Sequence, residues 1–407
     1  MGIYLNPENV DFQEVLNSKI YVDKSELIQY TNSVLRTTQK YICVSRPRRF
    51  GKSMAANMLT AYYSRGCDSR ELFQGLKIAT HPDFEKHLNQ YNVIHLNMQN
   101  FLSKTQTIEQ MIALVTKAVG RDLLRAYPDV DYLDKTILTF MLDDIYQDCQ
   151  VPFIFIIDEW DCIFRSRKNQ LEEQTKYLDF LRDLLKDKSY IALAYMTGIL
   201  PIKKYGEHSA INVFYEYSMT DASPIEEFTG FTEQEVRQLC EQYNMPFSET
   251  KKWYDGYCVD GVSIYNPKSV VEAMLRGKFS NYWTQTETYE ALKIYIQSNE
   301  FGVQDVILKL LAGEKEKIDT TTFSNDMVTF ATKDDVLTLL VHLGYLTYDA
   351  KTKEIWIPND EVMEQFISTV KVMNHRMLLY QTFTGIKTVQ RRLYLAWQHW
   401  ILIPAIS

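Results

Sequence analysis

The fold is decided by the stretch Tyr41-Ile42-Cys43-Val44-Ser45-Arg46-Pro47-Arg48-Arg49-Phe50-Gly51-Lys52-Ser53. Its apolar start predicts a strand, its end is Gly-Lys-Ser, and good helix formers follow over residues 54–59. A strand, a loop and a helix N-terminus in this order can cradle a phosphate, because backbone N–H groups and the helix terminus face the anion. The standard loop opens with glycine where this chain has Arg46. The stretch therefore predicts ATP or GTP binding through a loop that departs from the usual pattern.

The size and charge of the chain set its broad class. At 407 residues it exceeds the size at which one hydrophobic core usually stops growing, so we expect two or three domains. A formal net charge of −8 argues against a surface that coats nucleic acid, although it is compatible with a local basic groove. Nucleic acid is therefore a partner that the overall charge does not support.

Three sequence features predict a cytoplasmic protein with no membrane partner. The most continuous apolar run, residues 151–157, is far shorter than the roughly 20 residues of a membrane helix. The N-terminus lacks a basic segment followed by an apolar core, so no signal peptide is predicted. Six cysteines are scattered without paired spacing, which favours free thiols in a reducing compartment.

Apolar strands alternate with helical stretches in the first half of the chain. Strands are predicted at residues 41–45, 92–97, 151–157, 190–196 and 213–217, and helices from the loop to about 64 and at 107–124, 134–148 and 171–186. Strands that are apolar at every position are typical of a parallel sheet covered on both faces, so the class is α/β. The amphipathic residues 1–40 could cover a nucleotide base or simply part of the surface, and the surface cover is the favoured interpretation.

Two carboxylates that end a buried strand give the prediction its chemistry. Asp158 and Glu159 follow the apolar residues 153–157, and the spacing from the loop leaves room for one further strand. A carboxylate at this place can hold Mg²⁺ beside the Ser53 hydroxyl, and the next carboxylate can activate an attacking water as general base. Thr197 ends the following strand and can hydrogen-bond the lytic water or the terminal phosphate.

These residues define a hypothetical site for ATP and Mg²⁺. Lys52 would bind the β- and γ-phosphates and act in catalysis with Glu159 and Thr197. The metal ligands would be Ser53 and Asp158. The residues expected to contact the nucleotide are those of the loop and the first helical turn, namely Arg46, Pro47, Arg48, Arg49, Phe50, Gly51, Lys52, Ser53 and Met54.

The arginines around these motifs have two interpretations. Arg48 and Arg49 are either solvated charges or a source of positive potential and direct contacts beside the phosphates. Arg165 and Arg167 follow the acidic strand end and are expected to be solvated rather than catalytic.

From about residue 228 the sequence changes character. Thr232-Glu233-Gln234-Glu235 is close to a capping box, so a helix is predicted to start there. The aromatic, turn-rich residues 253–283 are interpreted as core rather than as a platform for a ligand. Residues 334–348 predict a helix, a glycine stop and a strand, and residues 354–359 predict its hairpin partner, which together suggest a small winged-helix module.

Several of these motifs resemble the bacterial predicted AAA-ATPase-like family. The matching segments are residues 45–53, Ile157-Asp158-Glu159-Trp160-Asp161, Met196-Thr197-Gly198-Ile199-Leu200-Pro201-Ile202, 253–257, 265–269 and 282–283. Arginine in place of the first loop glycine is usual in that family. The resemblance implies a P-loop NTPase with a parallel sheet and flanking helices, followed by a helical lid and a small winged-helix-like module. It implies ATP binding more firmly than any biological role.

The residues and the resemblance together predict four regions. These are a P-loop ATPase domain (1–225), a helical lid-like domain (226–320), a winged-helix-like module (321–371) and an atypical tail (372–407). Family members typically continue into a nuclease-like domain of the PD-(D/E)XK type. The tail contains no Asp or Glu, and it is interpreted either as a truncated or frame-shifted end or as a native amphipathic tail.

Two functions stay open at this stage. The first is Mg²⁺-dependent ATP hydrolysis coupled to conformational switching, which needs little beyond positioning and charge stabilisation. The second is a nucleotide-switched binding or signalling module with little or no turnover, whose partner would be another protein or a second copy of the chain.

Overall fold

The computed structural model describes residues 2–167, 169–202, 211–283, 300–323 and 330–370. Its centre is a parallel sheet in which the strands have the order β2-β3-β4-β1-β5. The strands are β1 (Tyr41–Ser45), β2 (Asn92–Asn97), β3 (Phe153–Asp158), β4 (Ile191–Gly198) and β5 (Tyr215–Tyr217). The predicted α/β class, a P-loop NTPase sheet with flanking helices, is confirmed.

The strand register brings the predicted site residues to one edge of the sheet. Ser45 pairs with Gly198 across β1 and β4, and Asn97 pairs with Asp158 across β2 and β3. The sequence predicted one strand between the loop and the acidic strand. That strand, β2, lies beyond β3 in the sheet, and β4 is the strand that separates β1 from β3.

Helices cover both faces of the sheet. Successive strand residues enter different cores, since Cys43 packs on one side and Ile42 and Val44 pack on the other. Both faces are therefore buried, and this explains why the strands are apolar at every position. The helices before and around the sheet are α1 (Val10–Leu16), α2 (Glu26–Val34), α3 (Lys52–Tyr63), α4 (Arg70–Phe73), α5 (Phe84–His87), α6 (Met98–Leu102), α7 (Ile108–Ala126), α8 (Leu138–Cys149), α9 (Cys162–Ser166) and α10 (Leu171–Leu185).

One helix starts later than predicted. The sequence suggested a helix from residue 134, but α8 begins at Leu138. Asp134 accepts a hydrogen bond from the backbone N–H of Thr136 at 2.7 Å, and this local turn competes with the helix.

The N-terminal residues run along the outer side of β2. Leu5 forms an antiparallel bridge with Ile94. The backbone N–H of Asn6 donates to Val93 O at 2.7 Å, and that of His95 donates to Tyr4 O at 3.0 Å. This contact ties the start of the chain to the sheet.

The region after the sheet combines helices with a small antiparallel sheet in the order β6-β8-β7. Thr232 and Glu235 form the predicted capping box, with both reciprocal hydrogen bonds present. Tyr254, Tyr257 and Tyr265 are fully buried, as expected for core residues. The elements are β6 (Phe231–Thr232), α11 (Glu233–Tyr243), α12 (Phe247–Tyr254), β7 (Tyr257–Val259), β8 (Val262–Tyr265) and α13 (Pro267–Arg276).

The last described region contains the predicted helix, glycine stop and hairpin. Its elements are α14 (Val303–Leu311), β9 (Glu316–Lys317), α15 (Lys333–His342), β10 (Thr347–Asp349) and β11 (Glu354–Trp356), and residues 360–370 are also helical. Three 3₁₀ turns complete the structure, at Lys77–Thr80, Glu226–Phe228 and Glu300–Gly302. The winged-helix interpretation and the four domain boundaries stay predictions, and the tail 372–407 lies outside the described residues. Within the described ranges, no helix combines the length and the apolar character needed to cross a membrane.

Candidate nucleotide site

The loop between β1 and α3 turns through left-handed backbone conformations. Gly51, the N-cap of α3, has φ +87°, and Arg49 has φ +70°. A Cβ at Gly51 would meet no atom within 4 Å, so glycine is needed there for its backbone conformation rather than for lack of space. This geometry brings Gly51, Lys52, Ser53 and Met54 to the wall of one large cavity.

The Lys52 ammonium lies at the centre of the loop. Its Nζ donates to the carbonyl oxygens of Arg46 and Pro47, at 2.8 Å each. Burial lowers the pKa of Lys52, and the negative charges of Glu159 and Asp158 oppose that shift. A cation is therefore held among loop carbonyls beside the end of the acidic strand.

Asp158 joins four elements of the structure. Its Oδ2 accepts a hydrogen bond from Ser53 Oγ at 2.7 Å and from Asn97 Nδ2 at 3.4 Å. Its Oδ1 accepts from the Thr197 hydroxyl and, at 3.0 Å, from the backbone N–H of Glu159. The structure thus brings the predicted residues Ser53, Asp158 and Thr197 together, and adds Asn97, which the sequence analysis missed.

Glu159 lies at the cavity wall beside Arg165. Its backbone has φ +54°, and its carboxylate is ion-paired with the Arg165 guanidinium. Arg165 Nε also lies 3.2 Å from Asp161 Oδ2. The Asp161 carboxylate is fully buried and accepts the backbone N–H groups of Ile199 and Leu200 at 3.0 and 2.9 Å.

The expectation that Arg165 is solvated was wrong. Its side chain is only 13% exposed and it lines the cavity. Burial alone would lower the pKa of Arg165, but the carboxylates of Asp161 and Glu159 outweigh that effect and raise it. Arg167 is similarly enclosed, at 15% exposure, and pairs with Glu173.

Arg46 and Pro47 are absent from the described lining of the cavity. The Arg46 guanidinium is fully buried, and its Nη1 donates to the carbonyl oxygens of Ser45 and Tyr217 at 3.0 Å each. Burial lowers the pKa of Arg46 to about 10. Pro47 packs so closely against Gly344 that an added Cβ there would lie 2.8 Å from the proline Cβ. Direct contact of these two side chains with a nucleotide stays a prediction.

The rest of the loop connects the cavity to the C-terminal half of the chain. Arg48, Arg49 and Phe50 line the cavity. Arg49 Nη1 donates to Tyr282 O at 2.6 Å. The Phe50 ring meets the Tyr257 ring edge-on, with 5.1 Å between centroids, and the Phe50 carbonyl accepts the backbone N–H of Gly230 at 2.9 Å.

The cavity has a volume of about 1330 Å³ and is lined by both charged and apolar side chains. Its charged lining among the described residues comprises one acid, Glu159, and six bases, Lys24, Arg48, Arg49, Lys52, Arg165 and Lys268. Much of its apolar lining comes from the N-terminal segment and the region after β5, and includes Phe12, Val15, Ile20, Val22, Phe228 and Phe231. The N-terminal segment is thus a wall of the cavity rather than the simple surface cover that the sequence favoured.

The fold is that of a P-loop NTPase. A parallel sheet carries a Gly-Lys-Ser loop, an acidic strand end and a threonine at one edge, and a basic cavity opens beside them. Residues 10–206, a little under half of the chain, match the model of the family described as Predicted AAA-ATPase.

Other comparisons give more distant likenesses. A protein of Azotobacter chroococcum mcd 1, described as an uncharacterized protein in the vnfD 5′ region, is 23% identical over 252 residues. The match covers 60% of this chain and 47% of that relative, so the chain spans about half the relative's length.

Two solved structures match this chain at low similarity. The ORC2 protein of Aeropyrum pernix with ADPNP and ADP is 11% identical, with 88% of this chain and 98% of that chain covered and a TM-score of 0.36. AMPPCP-bound DnaA from Aquifex aeolicus is 8% identical, with 96% and 98% covered and a TM-score of 0.30. Scores this low carry no argument about function.

Proposed function

We propose that the protein hydrolyses ATP with Mg²⁺ and couples this reaction to a conformational change. The observation that carries the proposal is that Lys52, Ser53 and Glu159 line one cavity, while the buried Asp158 accepts a hydrogen bond from Ser53 directly behind it. Two of the six lining bases, Lys24 and Lys268, pair with Glu235 and Glu272 outside the lining. The loop bases Arg48, Arg49 and Lys52 still favour a polyanionic ligand. The apolar lining residues suit a nucleotide base, and the volume of about 1330 Å³ is ample for the whole nucleotide.

A magnesium ion suits the oxygen atoms beside the loop. Ser53 Oγ and Asp158 Oδ2 are 2.7 Å apart, and Mg²⁺ is usually held by one or two such oxygens together with phosphates and water. Across the described ranges, no group of three or more His, Cys, Asp or Glu side chains could hold a metal. The fit is therefore to a metal that arrives with the nucleotide, and Mg²⁺ bound there would neutralise charge on the β- and γ-phosphates.

Each of the other residues has a simple role in this reaction. Lys52 offers a positive charge to the β- and γ-phosphates. Glu159 accepts the proton of a water whose oxygen adds to the γ-phosphorus, while the bond to the β–γ bridging oxygen breaks to give ADP and inorganic phosphate. Thr197 holds Asp158 from the far side and, as first expected, is a candidate to sense the terminal phosphate.

A second candidate function is a nucleotide-switched module with little turnover. The contacts of the loop with the C-terminal half favour it, because Arg49 reaches Tyr282 and Phe50 packs on Tyr257. A phosphate that moved this loop would also move those residues. The partner would be another protein or a second copy of the chain in the cytoplasm. Adding DNA to the binding assay would show whether it competes with that partner.

Nucleotide binding and phosphate release test the proposal with three variants. Lys52→Ala is expected to weaken ATP binding by at least about tenfold, because a charge-assisted contact is lost. Glu159→Gln is expected to bind ATP at least as tightly as the wild type does and to lower the turnover number by about 10²- to 10⁴-fold. Lys104→Ala removes an exposed lysine outside the cavity and is the matched control.

The outcomes separate the two functions. If Lys52→Ala binds ATP as well as the wild type does, the phosphate-loop assignment is wrong. If the wild type binds ATP but releases no more phosphate than Glu159→Gln, the hydrolysis proposal fails and the switched module remains.

A further inference from the structure

We propose that Arg165 detects the terminal phosphate of the bound nucleotide and, by changing partners, frees Glu159. The inference rests on the proposed function of the cavity and adds a residue that the reaction scheme above does not use. When Arg165 moves to contact the phosphate of ATP, it also leaves Glu159, which is then able to act as the general base.

The first support is the position of Arg165. Arg165 lies on α9, which begins shortly after Glu159, and it lines the same cavity as Lys52 and Glu159. Its guanidinium is enclosed, with 13% of the side chain exposed, so it is held at the site rather than extended into solvent.

The second support is the unequal nature of its two partners. Asp161 is fully buried and fixed by the N–H groups of Ile199 and Leu200, so it can anchor one side of the guanidinium. Glu159 is 23% exposed at the cavity wall, and Arg165 contacts its Oε2 through Nη2. The Nε side of Arg165 is thus anchored, while the Nη2 side faces a partner that can be exchanged.

The third support is chemical. A carboxylate oxygen that is paired with a guanidinium cannot at the same time accept a proton from water in that direction. Arginine binds phosphate oxygens in the same bidentate manner as carboxylate oxygens, and a terminal phosphate carries more charge than one carboxylate. A γ-phosphate in the cavity would therefore compete with Glu159 for Nη2. ADP lacks that phosphate and would leave the pair intact.

Equilibrium binding of ATP and ADP to the full chain with Mg²⁺ tests this exchange without requiring turnover. Arg165→Ala is expected to weaken ATP binding about tenfold and ADP binding by less than about twofold, because only ATP offers Arg165 a phosphate. Arg167→Ala is the matched control, since Arg167 is similarly enclosed but pairs with Glu173 and is absent from the described cavity lining. It is expected to leave both affinities unchanged.

A double-mutant cycle separates partner exchange from simple charge repulsion. Glu159→Gln is expected to tighten ATP binding several-fold when Arg165 is present, because the guanidinium no longer has to leave a carboxylate. In the Arg165→Ala background the same change is expected to have no effect. If repulsion between Glu159 and the phosphates were the cause, the effect of Glu159→Gln would be larger in that background, and the inference would be wrong.

Two further outcomes are decisive. Equal weakening of ATP and ADP by Arg165→Ala would reveal a structural role and overturn the inference. If Arg165→Ala does not fold, Arg165→Lys keeps the charge but not the two-sided contact, and it is expected to lower the preference for ATP over ADP about threefold, whereas an unchanged preference would overturn the inference. ATP binding by Lys52→Ala tests the proposed function independently of Arg165. A failure of the proposed function can therefore be distinguished from a failure of this inference.

Discussion

At the scale of single residues, the site depends on Asp158 as a shared acceptor. Ser53, Thr197, Asn97 and the Glu159 N–H all donate to its two oxygens. Asp158 is itself only 3% exposed. A buried carboxylate of this kind is stable only while its donors are in place, so each donor supports both the site and the fold.

Replacing Thr197 with valine should show this dependence. Valine keeps the shape but removes the hydroxyl, so we expect the free energy of unfolding to fall by about 1–3 kcal/mol. Thr197→Ser keeps the hydroxyl and is the control, expected to lose less. Urea denaturation of the three proteins provides the measurement. A valine variant as stable as the wild type would mean that Asp158 does not need this donor.

At the scale of elements, the helix over residues 360–370 is joined to the segment beside the loop through one buried glutamate. Glu361 Oε1 accepts the backbone N–H groups of Tyr282 and Trp283 at 2.7 and 2.9 Å. The carbonyl oxygen of Tyr282 in turn accepts a hydrogen bond from Arg49. The phosphate loop and the last described helix are therefore linked through two residues of the intervening segment.

This link predicts a pH dependence of stability. Burial raises the pKa of Glu361 to about 7, from an ordinary value of 4.5, although the N–H of Tyr282 opposes the shift. Between these values the folded protein binds more protons at this group than the unfolded chain does, so stability should fall as pH rises from about 4.5 to 7. Each pKa unit corresponds to about 1.4 kcal/mol.

Glu361→Gln should remove that decline. Its unfolding free energy relative to the wild type is expected to increase by on the order of 2 kcal/mol between pH 5 and pH 7.5, as measured by urea denaturation. Glu364→Gln changes an exposed glutamate of the same helix and should follow the wild type at each pH. If the Glu361 and Glu364 variants show the same pH profile, the buried carboxyl does not titrate in this range.

At the scale of the whole molecule, one hydrophobic core runs from the sheet into the C-terminal region. A single cluster of buried residues contains Phe50 of the loop, Phe155 of β3, Tyr257 of β7 and Tyr345 beyond α15. Because the sheet and the C-terminal region share this core, we expect them to unfold in one transition, whereas the parts of many multidomain chains unfold separately.

Nucleotide should therefore stabilise the entire described structure. At an ATP concentration 100 times the Kd, the unfolding free energy should rise by about 2.7 kcal/mol, and the tryptophan and far-UV signals should shift together. Lys52→Ala should show a smaller shift at the same concentration, at most about 1.4 kcal/mol if its affinity is tenfold weaker. Two separate transitions, of which ATP moves only one, would show that the regions are energetically independent.

The sequence predicted the parts of the site that lie at strand ends. Asp158 and Thr197 could be found because an apolar run reveals where a strand stops, and parallel strands stop at one edge. Ser53 could be found because it ends the Gly-Lys-Ser motif that follows β1. The α/β class and the capping box at Thr232 could also be predicted from the sequence, because both depend on local patterns.

Other features depend on partners far apart in the chain. Nothing in the local pattern distinguishes the enclosed Arg165 from a solvated arginine, because its burial is decided by Asp161 and the β4 end together. Likewise the loop residue Arg46 bonds a carbonyl 171 positions away, at Tyr217. Periodicity reports which way a side chain faces on its own element, and it carries no information on such distant contacts.

The segment over residues 4–6 has a consequence for self-association. Unpaired strand edges invite strands of other chains, and proteins commonly shield them. Here Leu5 covers the outer edge of β2 by pairing with Ile94, while the opposite edge of the sheet is β5, which is three residues long. Neither edge offers a long, flat template, so the sheet is protected against aggregation by strand addition during expression and storage.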